Sequence, residues 1–189
     1  MAVKGKSAVH NMQPPARTIT LTPSPRQKEF LMAKTRFVAY GGARGGGKSW
    51  AVRCKAVLMA LKHNGIRILI LRRTLPELRE NHILPLQEML QGIATYKDTD
   101  KSFSFPTGAR IRFGYCDAEA DVHQYQGQEY DVIFMDEATH FTEYQFSCLT
   151  ACLRGTNNLP KRFYVTCNPG GVGHAWVKRL FIEKQYTAA

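Results

Sequence analysis

The stretch YGGARGGGKSW, residues 40–50, places five glycines among eleven residues and constrains the fold more than any other part of the chain. Glycine weakens helices and strands, so such a run must serve a backbone conformation that other residues cannot take. It follows an apolar candidate for a buried strand, RFVAY at 36–40, and precedes SWAVRCKAVLMALKHN at 49–64, which has helical apolar spacing. The chain therefore predicts a strand, a glycine loop and a helix in direct succession.

This loop fits the pattern G-x-x-x-x-G-K-[ST] in full, from Gly42 to Ser49, in the strand-to-helix context that the pattern requires. Such a loop can turn successive N–H groups toward a phosphate chain, and the helix adds the positive end of its dipole. We expect Lys48 to neutralise the β- and γ-phosphates of a nucleotide and the Ser49 hydroxyl to bind Mg²⁺. The residues expected to bind the nucleotide are Gly42, Ala43, Arg44, Gly45, Gly46, Gly47, Lys48, Ser49 and Trp50.

A second motif, DVIFMDE at 131–137, ends in two carboxylates after four apolar residues. A phosphate loop needs a further magnesium contact from a neighbouring strand, and we predict that Asp136 supplies it through water. Glu137 is one residue further on, where the end of the strand can turn it toward the γ-phosphate to polarise an attacking water. The pair of carboxylates favours hydrolysis over nucleotide storage.

Strands and helices alternate along the chain, which predicts an α/β fold. Further strands are expected at 66–71, at 102–105 and 109–116 as a hairpin, and in YDVIFMDEA and KRFYVTCNP; further helices are expected at 24–34, at 75–93 with a break around Pro85, and at 143–154. Several strands are apolar on both faces, which is typical of a mostly parallel sheet flanked by helices. The strand at 66–71 lies between the two motifs, and this indicates a P-loop NTPase of the RecA type, with an additional strand and a catalytic glutamate.

Charge and composition limit the cellular setting. The net charge of +11 favours an acidic partner such as nucleic acid. No run of about 18 apolar residues is present, and residues 1–25 lack the apolar stretch of a signal peptide. We therefore expect a cytoplasmic protein without a membrane segment, with its five cysteines reduced. Residues 1–18 are predicted to be a flexible basic arm, and residues 19–189 one ATPase domain.

Four segments in this order, LTPSPRQKEFL, YGGARGGGKS, VIFMDEATHF and YVTCNP, resemble the ATPase domain of the large terminase subunit of tailed bacteriophages. The resemblance covers roughly residues 20–180. Proteins of this family are motors that push double-stranded DNA into a preformed capsid. The resemblance implies ATP and Mg²⁺ as ligands, a portal protein and a small terminase subunit as partners, and a homo-oligomeric ring in the assembled motor.

The resemblance also implies roles for individual residues. Gln27 matches a glutamine that reads adenine, and Arg44 matches a loop arginine that acts in cis on the γ-phosphate. Residues 166–169, TCNP, match a coupling motif that senses the γ-phosphate, with Thr166 and Asn168 as its polar members.

The sequence departs from the family in two ways. Many relatives have an arginine that reaches into the next subunit where this chain has Gln126, so such an arginine would have to come from elsewhere, with Arg154, Arg72 and Arg73 as candidates. The family's nuclease domain is expected to be absent from these 189 residues, because no further aspartate cluster could build a two-metal site.

Two alternatives to a DNA-packaging motor stay open at this point. A helicase or other DNA-remodelling ATPase of the same fold would need a second such domain or a strand-separating element. An assembly module would bind ATP and a partner protein without coupled hydrolysis. ATP turnover separates the assembly module from the two enzymes, and unwinding of a forked duplex separates the helicase from the motor.

Overall fold

A computed structural model describes residues 18–43 and 45–186. The helices are α1 Pro25–Met32, α2 Lys48–Lys62, α3 Leu75–Leu78, α4 Leu84–Met89, α5 Glu143–Ala151 and α6 His174–Val177. The strands are β1 Phe37–Gly41, β2 Arg67–Arg72, β3 Thr95–Lys97, β4 Ser102–Ser104, β5 Arg110–Tyr115, β6 Val132–Met135 and β7 Arg162–Cys167. Short 3₁₀ segments span Glu119–Tyr125 and Ala138–His140, and π-helical turns span Arg79–Ile83 and Lys178–Ile182.

The seven strands form one sheet in the order β1-β7-β6-β2-β5-β4-β3. The strands from β1 to β5 in this order pair in parallel, and β4 and β3 extend the sheet as an antiparallel pair. This confirms the mostly parallel sheet, the strand between the two motifs and the hairpin of β4 and β5. The sequence analysis did not predict β3. Register aligns the ends of the motif strands, since Gly41 pairs with Cys167 and Met135 with Val165.

Apolar side chains cover both faces of the central strands. Alternate residues of β2 show this division, because Ile68 and Ile70 pack with α2 on one face and Leu69 and Leu71 pack with α5 on the other. All four residues of β6 are buried. Burial on both faces explains why the strands next to the phosphate loop read as continuous apolar runs.

Helix α1 begins where the sequence predicted it. Ser24 is the N-cap and Pro25 occupies the first turn, where a missing N–H costs nothing. The Gln27 side chain completes a capping box, because its Oε1 accepts the Ser24 N–H at 2.8 Å while the Ser24 hydroxyl accepts the Gln27 N–H at 3.4 Å. This arrangement fixes the side chain of Gln27 at the start of the helix.

The structure corrects two expectations. The strand after α1 was expected to be buried, but β1 lies at the edge of the sheet with β7 as its neighbour, and Phe37 is 38% exposed. The helical segment at 75–93 was expected to break around Pro85. The helical path instead widens into the π-helical turn Arg79–Ile83, and Pro85 follows in the first turn of α4, where proline is tolerated.

None of the helices in the described residues is long and apolar enough to cross a membrane. Two expectations lie outside the described residues. The flexible arm predicted for residues 1–18 does so except for Thr18, and so does the loop arginine Arg44.

Candidate functional site

The glycine loop turns into α2 at Gly47. This residue is the N-cap of the helix and has φ +67°, a left-handed conformation that favours glycine. A Cβ atom at this position would come within 2.5 Å of Gln27 Nε2. The same amide nitrogen donates to the Gly47 carbonyl at 3.3 Å, so α1 is joined directly to the loop.

Lys48 is folded back onto the loop. It is 7% exposed, and its ammonium group donates to the carbonyl oxygens of Gly42 at 3.1 Å and Ala43 at 2.9 Å. It also donates to Asn168 Oδ1 at 2.7 Å. The structure therefore joins the loop lysine to one of the two predicted coupling residues at the end of β7.

Asp136 is the point at which the side chains of four elements converge. It is 1% exposed, and its Oδ2 accepts Ser49 Oγ at 2.8 Å, Arg72 Nη1 at 2.9 Å and His82 Nε2 at 2.9 Å. The Thr166 hydroxyl donates to its other oxygen, Oδ1. Burial alone would raise the pKa of Asp136, but hydrogen bonds and charge from His82, Thr166 and Arg72 hold that pKa well below its ordinary value.

Glu137 has a left-handed backbone conformation that residues other than glycine rarely adopt, with φ +59° and ψ +53°. Its N–H donates to Thr166 Oγ1 at 3.1 Å. Its two carboxylate oxygens accept Asn168 Nδ2 at 2.8 and 2.7 Å. Asn168 thus contacts Glu137 through its amide nitrogen and Lys48 through its amide oxygen, and Thr166 contacts both acidic residues of the motif.

The arrangement of Ser49 and Asp136 fits a magnesium site. Their oxygen atoms lie 2.8 Å apart, and oxygen ligands are those that Mg²⁺ prefers. Within residues 18–43 and 45–186, no group of three or more His, Cys, Asp or Glu side chains could hold a metal by itself. Mg²⁺ is usually held by one or two protein ligands together with substrate phosphates and water.

A cavity of about 550 Å³ opens above these groups. Its lining comprises Gly45, Gly46, Gly47, Lys48, Ser49, Trp50, Arg53, Arg72, Asn81, Glu137, Thr139, His140, Asn168, Pro169, Gly170 and Gly171. A second cavity, of about 520 Å³, lies on the other side of the loop between the start of α1 and the end of β1. The two cavities share Gly46 and Lys48, so space is available on both sides of the loop.

The structure thus brings Ser49, Asp136, Glu137, Thr166 and Asn168 into one network with Lys48. Trp50 lines the larger cavity. Gln27 lies beside the loop, but both ends of its amide are engaged within the chain. Adenine reading by Gln27, which would require those contacts to open, stays a prediction.

The three candidates for an arginine that reaches a neighbouring subunit differ in their surroundings. Arg72 turns inward onto its own Asp136, and its side chain is only 11% exposed. Arg73 is 31% exposed and donates to the His140 carbonyl at 3.4 Å. Arg154 is exposed. Arg72 thus contacts its own site here, and the hypothesis of an arginine that reaches a neighbouring subunit stays a prediction for all three candidates.

Sequence reasoning missed His82 and Arg53. His82 is fully buried in the π-helical turn and contacts Asp136, and Arg53 lines the cavity from α2. No spacing or motif marks His82, which follows Asp136's partner Arg72 by ten residues in a segment that reads as an ordinary helix. The one available signal was that His82 lies four residues from both Leu78 and Leu86, on an otherwise apolar side of the helix. Such polar residues are common on helices.

Known proteins resemble this chain in sequence and fold. A family model described as phage terminase large subunit matches residues 33–189. The large terminase of a thermophilic bacteriophage has a TM-score of 0.70 and 22% identity, with 86% of this chain and 43% of that chain covered. For the bacteriophage HK97 large terminase, the TM-score is 0.63, the identity 14% and the coverage 87% and 38%. No curated protein sequence matches.

The N-terminal domain of the DNA packaging ATPase from bacteriophage phi29 is similar over 90% of its length and 86% of this chain, with a TM-score of 0.58 and 17% identity. The chain spans less than half of the thermophilic-phage and HK97 terminases. The fold is therefore the P-loop, RecA-like fold of terminase ATPase domains. Since the family model covers most of the sequence, the chain belongs to the phage terminase large subunit family.

Proposed function

We propose that this chain is an ATP-hydrolysing motor module that drives double-stranded DNA into a procapsid. The observation that carries the proposal is the pair of contacts made by Asn168, which joins Lys48 of the phosphate loop to Glu137 of the acidic strand. The large terminase of the thermophilic bacteriophage, a protein similar to this chain, has been solved in complex with ATP-γ-S and with ADP. These complexes support nucleotide binding by this chain.

The chemistry follows from the groups that converge on the loop. Lys48 leaves the carbonyl oxygens of Gly42 and Ala43 to contact the nucleotide phosphates, and its bond to Asn168 opens at the same time. Glu137 accepts a proton from the attacking water at its carboxylate. Ser49, and Asp136 through water, would hold Mg²⁺, which would supply positive charge to neutralise the phosphate oxygens.

Coupling to motion involves the end of β7. Thr166 contacts both Asp136 and Glu137, so a change at either carboxylate alters the hydrogen bonds of the strand end. When Lys48 binds the γ-phosphate, its hydrogen bond to Asn168 is broken. After the phosphate departs, Lys48 can donate to Asn168 again. Arg44 stabilises the charge that develops on the γ-phosphate in cis, in keeping with the resemblance described above.

The motor acts in an assembly with other subunits. One module provides one grip on DNA, so translocation requires a homo-oligomeric ring together with the portal protein and the small terminase subunit. The net charge of +11 supports contact with DNA through its phosphates, without base reading. Processive translocation by a monomer would contradict this part of the proposal.

The experiment that tests hydrolysis compares the wild-type chain with Glu137→Gln. We expect the variant to bind ATP with Mg²⁺ but to turn it over about 10²- to 10⁴-fold more slowly, because the amide cannot accept the proton. Turnover is measured across protein concentrations, with and without duplex DNA. Binding is measured separately from the change in tryptophan fluorescence, in a Trp176→Phe background so that Trp50, which lines the cavity, is the fluorophore. A rise in turnover per molecule with concentration would support a site completed by a neighbouring subunit.

Glu143→Gln is the matched control, since Glu143 lies at the start of α5 outside the cavity. Its turnover should equal that of the wild type. Unchanged turnover in Glu137→Gln would remove Glu137 from the mechanism. Tight binding without turnover in the wild type under every condition would favour the assembly module over the motor.

A further inference from the structure

On the face of the sheet that α5 covers, the apolar side chains extend as far as β2 but do not continue onto β5. On this face β2 contributes Leu69 and Leu71 to the core. Register places Arg112 beside Leu69 and Arg110 beside Arg67, so the same face of β5 carries exposed arginines. The other face of β5 carries the buried Ile111 and Phe113. The antiparallel end of the sheet is therefore apolar on one face and basic on the other.

Two cross-strand rows continue this basic face to the edge of the sheet. One row runs from Arg112 through Ser102 to Lys97, and the other runs from Arg110 through Ser104 to Thr95. Neighbouring strands lie about 4.8 Å apart, so the second row presents exposed cationic and hydroxyl groups at short, regular intervals. In the first row Arg112 and Lys97 are exposed, whereas Ser102 is buried.

The rows form the floor of a groove. A cavity of about 490 Å³ lies over β4 and β5, and one of about 340 Å³ lies over the starts of β2 and β5. Arg110 and Arg112 line both cavities. The wall at one end is the 3₁₀ segment Glu119–Tyr125, which approaches closely because Gly114 has no side chain; a Cβ there would lie 2.2 Å from the Tyr125 hydroxyl.

The charges in the groove are partly free to take a ligand. Arg110 has no side-chain hydrogen bond or ion pair within the described part of the chain, although Asp100 lies near enough to interact with it electrostatically. Arg112 Nη1 donates to Gln128 Oε1 at 2.8 Å and to the Tyr130 hydroxyl at 3.4 Å, which leaves the N–H groups of Nε and Nη2 for a ligand. Two acidic residues border the groove, and each is already paired with a cation: Asp100 with Lys97 at 2.9 Å and Glu129 with Arg67 at 3.1 Å.

From this geometry we infer that the groove over β4 and β5 binds the phosphate backbone of duplex DNA, with Arg110 as its principal contact. The inference rests on the proposed function for its choice of DNA. Arginine, lysine and serine side chains are the usual donors to phosphate oxygens. The groove lacks the exposed aromatic platform on which single-stranded bases stack, because its aromatic residues Phe113 and Tyr125 are buried and Tyr115 is half-buried.

The test measures binding of a fluorescent blunt duplex of about 30 base pairs to the whole chain by anisotropy, in salt from about 50 to 200 mM. Arg110→Glu should weaken binding at least about tenfold, and Arg110→Ala should reduce the slope of log K against log salt by about 1. The matched control is Lys28→Glu, an equal change of charge at an exposed residue of α1, near the opposite edge of the sheet.

Equal losses in Arg110→Glu and Lys28→Glu would overturn the inference, because binding would then follow net charge alone. The same measurement is made with a single strand of the same sequence. If Arg110→Glu weakens binding of the single strand but not of the duplex, the inference is also overturned. ATP turnover without DNA should be unchanged in Arg110→Glu, since Arg110 lies outside the nucleotide cavity. If the wild-type chain hydrolyses ATP and Arg110→Glu binds the duplex normally, the groove is rejected and the motor is not. If Arg110→Glu specifically loses duplex binding and the wild-type chain shows no hydrolysis, the motor is rejected and the groove is not.

Discussion

At the scale of single residues, Asp136 depends on partners that come from four different elements. Ser49 belongs to α2, Arg72 to β2, His82 to the π-helical turn and Thr166 to β7. Turns of the π type often mark functional sites. Here the turn brings a fully buried imidazole against the carboxylate, so the orientation of Asp136 depends in part on a residue that no motif identifies.

This contact leads to a prediction for His82. His82→Leu should lower the free energy of unfolding by about 1–3 kcal/mol, because a buried carboxylate loses one of its donors, and it should raise the Mg²⁺ concentration needed for half-maximal ATP binding. His82→Gln, which can keep an N–H near the position of Nε2, should recover most of both losses. Denaturant unfolding and a Mg²⁺ titration of ATP binding provide the two measurements. Equal Mg²⁺ dependence in the wild type and His82→Leu would show that His82 does not orient Asp136.

At the scale of elements, the predictable parts were those with strong local signals. The helix α1, the loop between β1 and α2 and the apolar runs of β2, β6 and β7 were identified because each rests on neighbouring residues. The edge position of β1 and the contact between α1 and the loop depend on pairing across the chain. The site shows the same division. Local motifs identified Asp136 and Glu137, but only the fold brings Asn168 to both Lys48 and Glu137.

The contact between α1 and the loop can be tested through the helix cap. Ser24→Ala should lower the free energy of unfolding by about 1 kcal/mol, because the hydroxyl that accepts the Gln27 N–H is lost. It should also weaken ATP binding, because the first turn of α1, which places Gln27 against Gly47, is then held less firmly. Thr142→Ala removes the equivalent cap of α5, where Thr142 and Gln145 form the same reciprocal bonds at 3.0 and 3.3 Å. It should cost similar stability without changing ATP affinity. Equal ATP affinities in the two variants would exclude a role for the α1 cap at the site.

At the scale of the whole molecule, burial makes stability depend on alkaline pH. Burial raises the pKa of Cys54 to about 11 and that of Cys116 to about 12, from an ordinary value of 9.0. The unfolded chain therefore releases these protons before the folded chain does, and stability falls as pH rises above about 9. Lys55 has the opposite effect on stability, because burial lowers its pKa from 10.5 to about 8. Its contribution to the free energy of unfolding therefore rises as the pH increases between those two values.

The free energy of unfolding, measured in reductant, should accordingly decrease between pH 9 and pH 11, by about 1 kcal/mol per pH unit for each buried thiol. A Cys54→Ala, Cys116→Ala double variant should show a shallower decrease. Cys148→Ala is the control, since Cys148 is only partly buried. A decrease of the same slope in the double variant and the wild type would mean that other groups govern the alkaline transition.

The edge position of β1 has a consequence for the protein in solution. Only β7 pairs with β1 within the described residues, so the outer backbone groups of β1 face away from the sheet beside the partly exposed ring of Phe37. A strand with one free side and apolar substituents is a template for another extended segment. The same strand that leads the chain into its phosphate loop is therefore an edge where a further strand can be added and where we expect association in concentrated samples to begin.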